Sequence, residues 1–334
     1  MPDRGPGRGA ARNARRRGTR GLHAPWLSGP GAAGDEDLAP ACRGVRLPRE
    51  LWRPAARRVV VSGDAPVAVI TGASRGIGKQ FAVDFAAAGY DVVCLARSTD
   101  DSPTKLPGTV DETAQLVRDA GRRALALPLN VQVEEEVAAI ADRVYDELGR
   151  CDVLINNAAI AIPGKTLELP TSRWRLAMDV NVHGPLYMMY HFCPRMVQAG
   201  SGRVINISSG AAVRPEFGRI SYTVTKRALE ALTEGMGFEL QEQSVAVNCI
   251  RLDFAVWSEG YAYTLPGVDT SEFEDPVVMS DAALWLARQP LDYTGKVLAI
   301  TQMREMGAVR GNTRIADREG WGDGETAGAR EVKR

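Results

Sequence analysis

The sequence predicts a doubly wound α/β fold, one parallel sheet of about seven strands with helices on both faces. Three observations predict it. From Val67 onward, short β-rich apolar runs alternate with helical patterns of ten or more residues, the mark of β-α-β units. A glycine-rich turn, Thr71-Gly72-Ala73-Ser74-Arg75-Gly76-Ile77-Gly78, closes the first run. The two ends of the chain show no hydrophobic period, which leaves a central stretch of a size that one sheet can organise.

Strands are expected at Val67–Thr71, Asp91–Leu95, Ala124–Leu127, Val153–Asn156, Arg203–Ile207, Val245–Ile250 and Lys296–Ile300. Between them, Thr109 followed by Glu112 reads as a capping box, and Gly89 and Gly121 read as helix stops. One long helix is expected from Ser172 to about Gln198, and a polar, Pro-containing loop from Ser98 to Pro107 beside the glycine turn. Each crossover should be right-handed.

The flanks differ in composition. Residues 1–60 carry thirteen Arg, no Lys and five acidic residues among many Gly, Pro and Ala, so this arm holds +8 and the remainder −8 in a formally neutral chain. Too little apolar surface is present there to form a core. Residues 1–62 are therefore expected to be a disordered extension, 63–308 the folded domain and 309–334 a mobile tail. A basic arm could touch nucleic acid or an anionic membrane, or address an organelle, but its glycines and prolines interrupt an amphipathic helix. Neither nucleic acid nor membrane is the expected partner; no apolar run approaches the length of a transmembrane helix.

Cys42, Cys94, Cys151, Cys193 and Cys249 are odd in number and contain no C-x-x-C, which argues against a disulfide framework or zinc site and points to the cytoplasm. His23, His183 and His191 have no metal-ligand spacing.

A strand that runs into Gly72-x-x-x-Gly76-x-Gly78 and then a helix turns backbone N–H groups and a helix N-terminus toward a pyrophosphate. The second strand ends in Ala96-Arg97-Ser98 with no acid, and Arg75 lies in the glycine turn, so a 2′-phosphate is better served than a free ribose hydroxyl. NADP(H) is expected over NAD(H), although a solvated surface Arg97 would look the same.

Thirteen residues after Ser209 comes Tyr222-Thr223-Val224-Thr225-Lys226. Tyr-x-x-x-Lys alone is a feeble motif. On a helix, however, positions i and i+4 share a face, so the Lys226 ammonium can stabilise a Tyr222 phenolate and make the phenol a usable general acid or base. Ser209 falls at the carboxyl end of a strand, where it can bond a substrate oxygen as charge develops; it could equally cap a turn. Asn181 inside a helix is mildly unfavourable, which suits a bonding role within the fold.

With these elements in order, Asn156-Asn157-Ala158-Ala159 and Asn206-Ile207-Ser208-Ser209 included, the chain resembles the short-chain dehydrogenase/reductase family over roughly residues 65–305. The resemblance implies a single Rossmann-type domain that moves a hydride between nicotinamide and a carbonyl or secondary alcohol. It implies Tyr222 as proton donor or acceptor, Ser209 orienting the carbonyl, Lys226 binding the nicotinamide ribose, and Asn181 supporting a water-mediated proton relay. Gly72, Ser74, Arg75, Gly76, Ile77, Gly78, Arg97, Asn130, Val131, Asn157 and Ala158 would line the cofactor together with Tyr222 and Lys226, and assembly would be a homodimer or homotetramer through the helices of Asn181 and Tyr222. The sequence departs from the family at Asn130, where Asp is usual, at Leu252-Asp253 in place of Pro-Gly, at Trp257 in place of a phosphate-contacting Thr, and at Thr301-Gln302. Ala255 is a further candidate contact. Phe254, Trp257, Tyr261, Tyr263 and Leu265 crowd the segment expected over the substrate, with Trp257 and Tyr261 the candidate contacts; they favour an apolar ligand or simply pack a core. A non-catalytic NADP-binding sensor is the alternative reading.

Overall fold

Seven strands form one parallel sheet in the order β3-β2-β1-β4-β5-β6-β7. They are β1 (Val67–Thr71), β2 (Asp91–Ala96), β3 (Ala124–Pro128), β4 (Val153–Asn156), β5 (Gly202–Ser209), β6 (Val245–Leu252) and β7 (Val297–Ala299). The computed structural model describes residues 65–264, 269–311 and 313–315, all within the unit Ala56–Arg334. The Arg-rich extension, with Cys42 and His23, and Leu265 lie outside the described residues.

The inner strands are buried on both faces, with successive side chains pointing to opposite sides, while the edge strands β3 and β7 are largely half-buried. In β1, Ala68 and Ile70 join a cluster with Phe81, Phe85, Val117, Met279 and Leu286. These come from α1 (Gly76–Ala87), α2 (Val110–Asp119) and α8 (Val277–Arg288). Val67 and Val69 join the other cluster, with Val144, Phe192 and Met196 from α3 (Glu134–Leu148) and α5 (Gly184–Ala199). Alternation along a five-residue strand thus assigns the helices to their two layers.

The expected capping box is present: the Thr109 side chain accepts from Glu112 N–H at 3.1 Å and the Glu112 carboxylate accepts from Thr109 N–H at 3.3 Å. Gly89 and Gly121 follow their helices with positive φ. Three expectations need correction. β5 and β6 run two residues further at their carboxyl ends than expected, because their parallel register continues through Ser209↔Leu252. The last strand ends at Ala299, and Ile300 opens α9 (Ile300–Glu305), where the Gln302 side chain accepts from Ala299 N–H at 3.3 Å. The folded body also continues past residue 308: Val309 and Ile315 are buried, and Ile315 N–H donates to Phe273 O at 2.9 Å. Apolar residues separated by polar ones in this stretch carry too weak a period to read.

Strand order reverses between β1 and β4, so the chain leaves their carboxyl ends in opposite directions and opens a crevice there. Among the described residues no helix is long and apolar enough to cross a membrane.

Cys94, Cys151, Cys193 and Cys249 are free and buried. Burial pushes the Cys94, Cys193 and Cys249 thiols up to about 12, and Cys151 in the same direction. At about pH 8 these four thiols stay protonated and shielded. Iodoacetamide should leave them unmodified in the native protein and label them after unfolding in guanidinium, as read by peptide mass spectrometry; native labelling of Cys249 would contradict this.

Candidate active site

The turn between β1 and α1 is shaped by contact. A methyl group added at Gly78 would lie 2.1 Å from Gly72 O, so only glycine allows α1 to start this close to the strand. Gly76 adopts φ +53, and no side chain caps the first turn of α1. Its N-terminal N–H groups therefore remain for an anion. Asn157 and Ala158 hold the turn from the next strand. Asn157 Nδ2 donates to Thr71 O at 2.9 Å and Gly72 O at 3.3 Å, while the N–H groups of Asn157 and Ala158 donate to Thr71 Oγ1 at 3.0 and 3.1 Å. Below them, Asn156 Nδ2 donates to Asn206 Oδ1 at 2.9 Å, and Asn206 Nδ2 to Thr233 Oγ1 at 2.9 Å.

At the far end of this crevice the two arginines divide. Arg75 reaches across to the loop before α2, donating to Pro107 O at 2.6 Å, Thr104 Oγ1 at 2.9 Å, Leu106 O at 3.0 Å and Gly108 O at 2.9 Å. Burial lowers the Arg75 pKa against the opposing pull of Glu259. Arg97 is exposed at the end of β2, near enough for its charge to act on Arg75. Ser74 is buried beneath the loop: a Cβ at Gly108 would sit 2.4 Å from Ser74 O. Asn130 Oδ1 accepts from the Gln132 N–H at 3.3 Å and side-chain amide at 2.9 Å. Val131 packs against Gly184, where an added Cβ would come within 2.9 Å of it.

The expected single helix over 172–198 is three segments. α4 (Thr171–Met178) and α5 flank a π-helical turn, Asp179–His183, centred on Asn181. Asn181 is completely buried. Its Oδ1 accepts from Ile160 N–H at 2.8 Å, and its Nδ2 donates to Ile160 O at 2.8 Å and Thr225 Oγ1 at 3.0 Å. A buried amide meeting its partners outside the helix accounts for the widened turn, a distortion common at functional positions.

Tyr222 and Lys226 lie on α6 (Ile220–Leu240). The Lys226 ammonium, 2 % exposed, lies 5.5 Å from the centroid of the Tyr222 ring and donates to Ile207 O at 2.7 Å. That carbonyl is two residues before Ser209, whose Oγ accepts from Ala211 N–H at 3.2 Å and caps a short 3-10 turn, Gly210–Ala212. Capping uses a lone pair and leaves the hydroxyl proton to donate. Thr225 Oγ1 donates to Tyr222 O at 2.8 Å, which links Asn181 to the tyrosine backbone. Arg219 also stands over the Tyr222 ring at 5.1 Å.

Glu230, one turn beyond Lys226, is 2 % exposed and was not expected from sequence. Ser208 Oγ donates to its Oε1 at 2.7 Å, and Arg251 binds both oxygens at 2.7 and 2.8 Å. Its position four residues after Lys226, on the face that α6 buries, was the available signal. The departures at Asp253 and Thr301 meet each other: the Asp253 carboxylate accepts from Thr301 N–H at 3.3 Å and from its hydroxyl.

The aromatic residues expected over the substrate meet neighbours from several parts of the fold. Phe254 packs with the core and lies beneath Arg304 at 4.7 Å; Tyr261 meets Phe273 edge-on at 5.0 Å. Trp257 N–H donates to Glu274 O at 3.0 Å, Ala255 O accepts from Glu274 N–H at 2.9 Å, and Tyr263 is exposed. A groove of about 530 Å³ instead lies between Lys165–Glu168 and Pro215–Ile220, with Leu167 100 % and Phe217 87 % exposed.

Residues 66–255 match the short chain dehydrogenase family. The hydroxysteroid dehydrogenase-like protein 2 of Xenopus tropicalis is 32 % identical over 236 residues, 68 % of this chain and 54 % of that protein; the chain thus spans about half the length of that relative. The 7alpha-hydroxysteroid dehydrogenase of Escherichia coli K12 is 35 % identical over 187 residues, 56 % of this chain and 70 % of the enzyme. Among solved structures, a candidate dehydrogenase from Xanthomonas campestris superimposes with TM-score 0.67 at 30 % identity, covering 75 % of this chain and 93 % of the other. A metagenomic short-chain oxidoreductase in complex with NADP gives 0.59 at 28 % identity, covering 70 % and 95 %.

Glu230→Ala leaves Arg251 without its carboxylate and Ser208 without its acceptor. It should cost about 3 kcal/mol of stability, measured by urea unfolding, whereas Glu239→Ala on the exposed face of the same helix should change little.

Proposed function

Because this chain belongs to the short chain dehydrogenase family, we propose that it is an NADP(H)-dependent oxidoreductase. It transfers a hydride between nicotinamide and an apolar carbonyl compound or secondary alcohol, with Tyr222 as general acid in reduction and base in oxidation. The observation that carries the reading is Lys226: a buried ammonium with one hydrogen donated to Ile207 O and the Tyr222 ring beside it. Two further ammonium hydrogens remain for a ribose.

The glycine turn fits the dinucleotide, since Gly78 permits the close strand-to-helix approach and the first turn of α1 has no side-chain cap. Bound there, the cofactor supplies or accepts the hydride. Lys226 stabilises the phenolate by charge, Ser209 donates to the substrate oxygen as it becomes negative, and Asn181 holds the helix turn from which protons are relayed. Arg97, exposed at the end of a strand that carries no acid there, supports NADP(H) over NAD(H). With Arg75 bonded to the loop carbonyls, we assign Arg97 the larger share of the 2′-phosphate.

An apolar substrate is supported by the groove walled by Leu167 and Phe217 at the start of α6 and by the steroid named in the Escherichia coli relative. Exposed Tyr190 on α5 and Val224 and Phe238 on α6 support a homodimer or homotetramer. Four free thiols accord with a cytoplasmic location.

Tyr222→Phe should lower kcat for NADPH-dependent ketone reduction by about 10²- to 10⁴-fold while leaving the dinucleotide Kd unchanged; equal turnover would refute the mechanism. Arg97→Ala should weaken NADPH binding by about tenfold and leave NADH binding as it was, measured by calorimetry. Across a ketone panel, bulky apolar substrates should exceed small keto acids in kcat/KM, and the reverse order would remove the substrate assignment.

A further inference from the structure

We propose that Glu259 is a built-in competitor for the cofactor's phosphates, a residue that sets dinucleotide affinity by placing a carboxylate against the anion cradle of α1. This rests on the dinucleotide-binding reading above and concerns Glu259, a residue to which that reading gives no role.

The segment after β6 folds back onto the glycine turn. At Gly76 an added Cβ would lie 2.9 Å from Ser258 Cβ and 3.4 Å from Glu259 Oε2, so both residues stand directly over the first residue of α1. Ser258 Oγ accepts from Tyr261 N–H at 3.2 Å and starts the short helix α7 (Glu259–Thr264), which fixes the direction in which Glu259 leaves the backbone. Glu259 Oε2 is buried and has no hydrogen-bond partner among the described residues. A carboxylate oxygen is costly to bury without a donor. What favours its position is charge: the N-terminus of α1 has no side-chain cap, and the Arg75 guanidinium is close enough to interact with it.

A pyrophosphate in the same cradle answers to the same two positive features, with better acceptor geometry and more charge. It cannot share the space with an anion that has no donor of its own. Binding therefore requires Glu259 to turn out toward water, and the affinity measured is the intrinsic one reduced by that displacement. A neutral donor at this position would assist the phosphates; a carboxylate can only accept and repel. The pyrophosphate is common to both dinucleotides, so the effect falls equally on NADPH and NADH.

The test is equilibrium binding of NADPH and NADH to the full chain by calorimetry, with wild type, Glu259→Gln and Glu259→Ala, and Glu239→Gln as a control for net charge at an exposed site. Both Glu259 variants should bind both dinucleotides about tenfold more tightly, with the NADPH-to-NADH ratio unchanged, and the Glu239 variant should match wild type. Thermal melting of the protein without dinucleotide should show Glu259→Gln at least as stable as wild type, since a neutral amide costs less to bury without a partner than a carboxylate. Equal or weaker binding in the Gln variant overturns the inference, and weaker binding identifies Glu259 as a direct cofactor ligand instead. Wild type that binds neither dinucleotide overturns both this inference and the functional reading; wild type that binds while the variants fail to tighten overturns this inference alone.

Discussion

The carboxyl edge of the sheet depends on how α6 is fastened to β5. Two charged side chains on one face of that helix, beside the Thr233 hydroxyl that accepts from Asn206, make the attachment: Lys226 to Ile207 O, and Glu230 to Ser208 and Arg251. One is a buried cation and the other a buried anion, both costly to desolvate, and each meets a partner at the strand ends. The strand that presents Ser209 and the helix that presents Tyr222 therefore share one register. A slip by one residue along β5 would turn Ser208 out and carry Ser209 toward the core.

Asn181 provides the matching constraint from the other helix. Its amide satisfies both backbone groups of Ile160 and also reaches Thr225, so the loop after β4, the π-helical turn and α6 meet at one buried side chain. Asn157 performs a similar task at the glycine turn. Residues counted as lining a cofactor crevice are thus also what builds its walls, and replacing them changes geometry and contact together.

The sheet was legible because parallel strands buried on both faces leave unbroken apolar runs, and the cradle because its glycines sit between a strand and a helix at set spacing. Tyr222, Lys226 and Ser209 were readable for the same reason, as local motifs at an identifiable edge. The π-helical turn was not, since its cause is a contact between Asn181 and Ile160, twenty-one residues apart, and local propensity registers only that asparagine is unfavourable in a helix. Glu230 was hidden by distance as well: its partner Arg251 belongs to the next strand, and a charged residue on a helix is ordinarily solvated. The aromatic segment after β6 left ligand contact and core packing both open, because the side chains that meet Phe254 and Tyr261, namely Arg304 and Phe273, come from later segments that local composition does not place.

The departures from the family pattern compensate for one another in space. Asp253 would be an acid at the mouth of the crevice, yet Thr301, itself a departure, donates to it through both backbone and hydroxyl, and Arg214 donates to its carbonyl at 3.0 Å. One turn further along α9, Arg304 grips Glu274 with both arms of its guanidinium, and Glu274 bridges to Val256 beside Trp257. The segment that leads from β6 to Ser258 is therefore held by polar contacts to α9 rather than by a proline-glycine bend of its own. That route lays Ser258 and Glu259 against Gly76, so a substitution at Thr301 or Arg304, remote in sequence from the glycine turn, acts on the cofactor cradle through the path of this one segment.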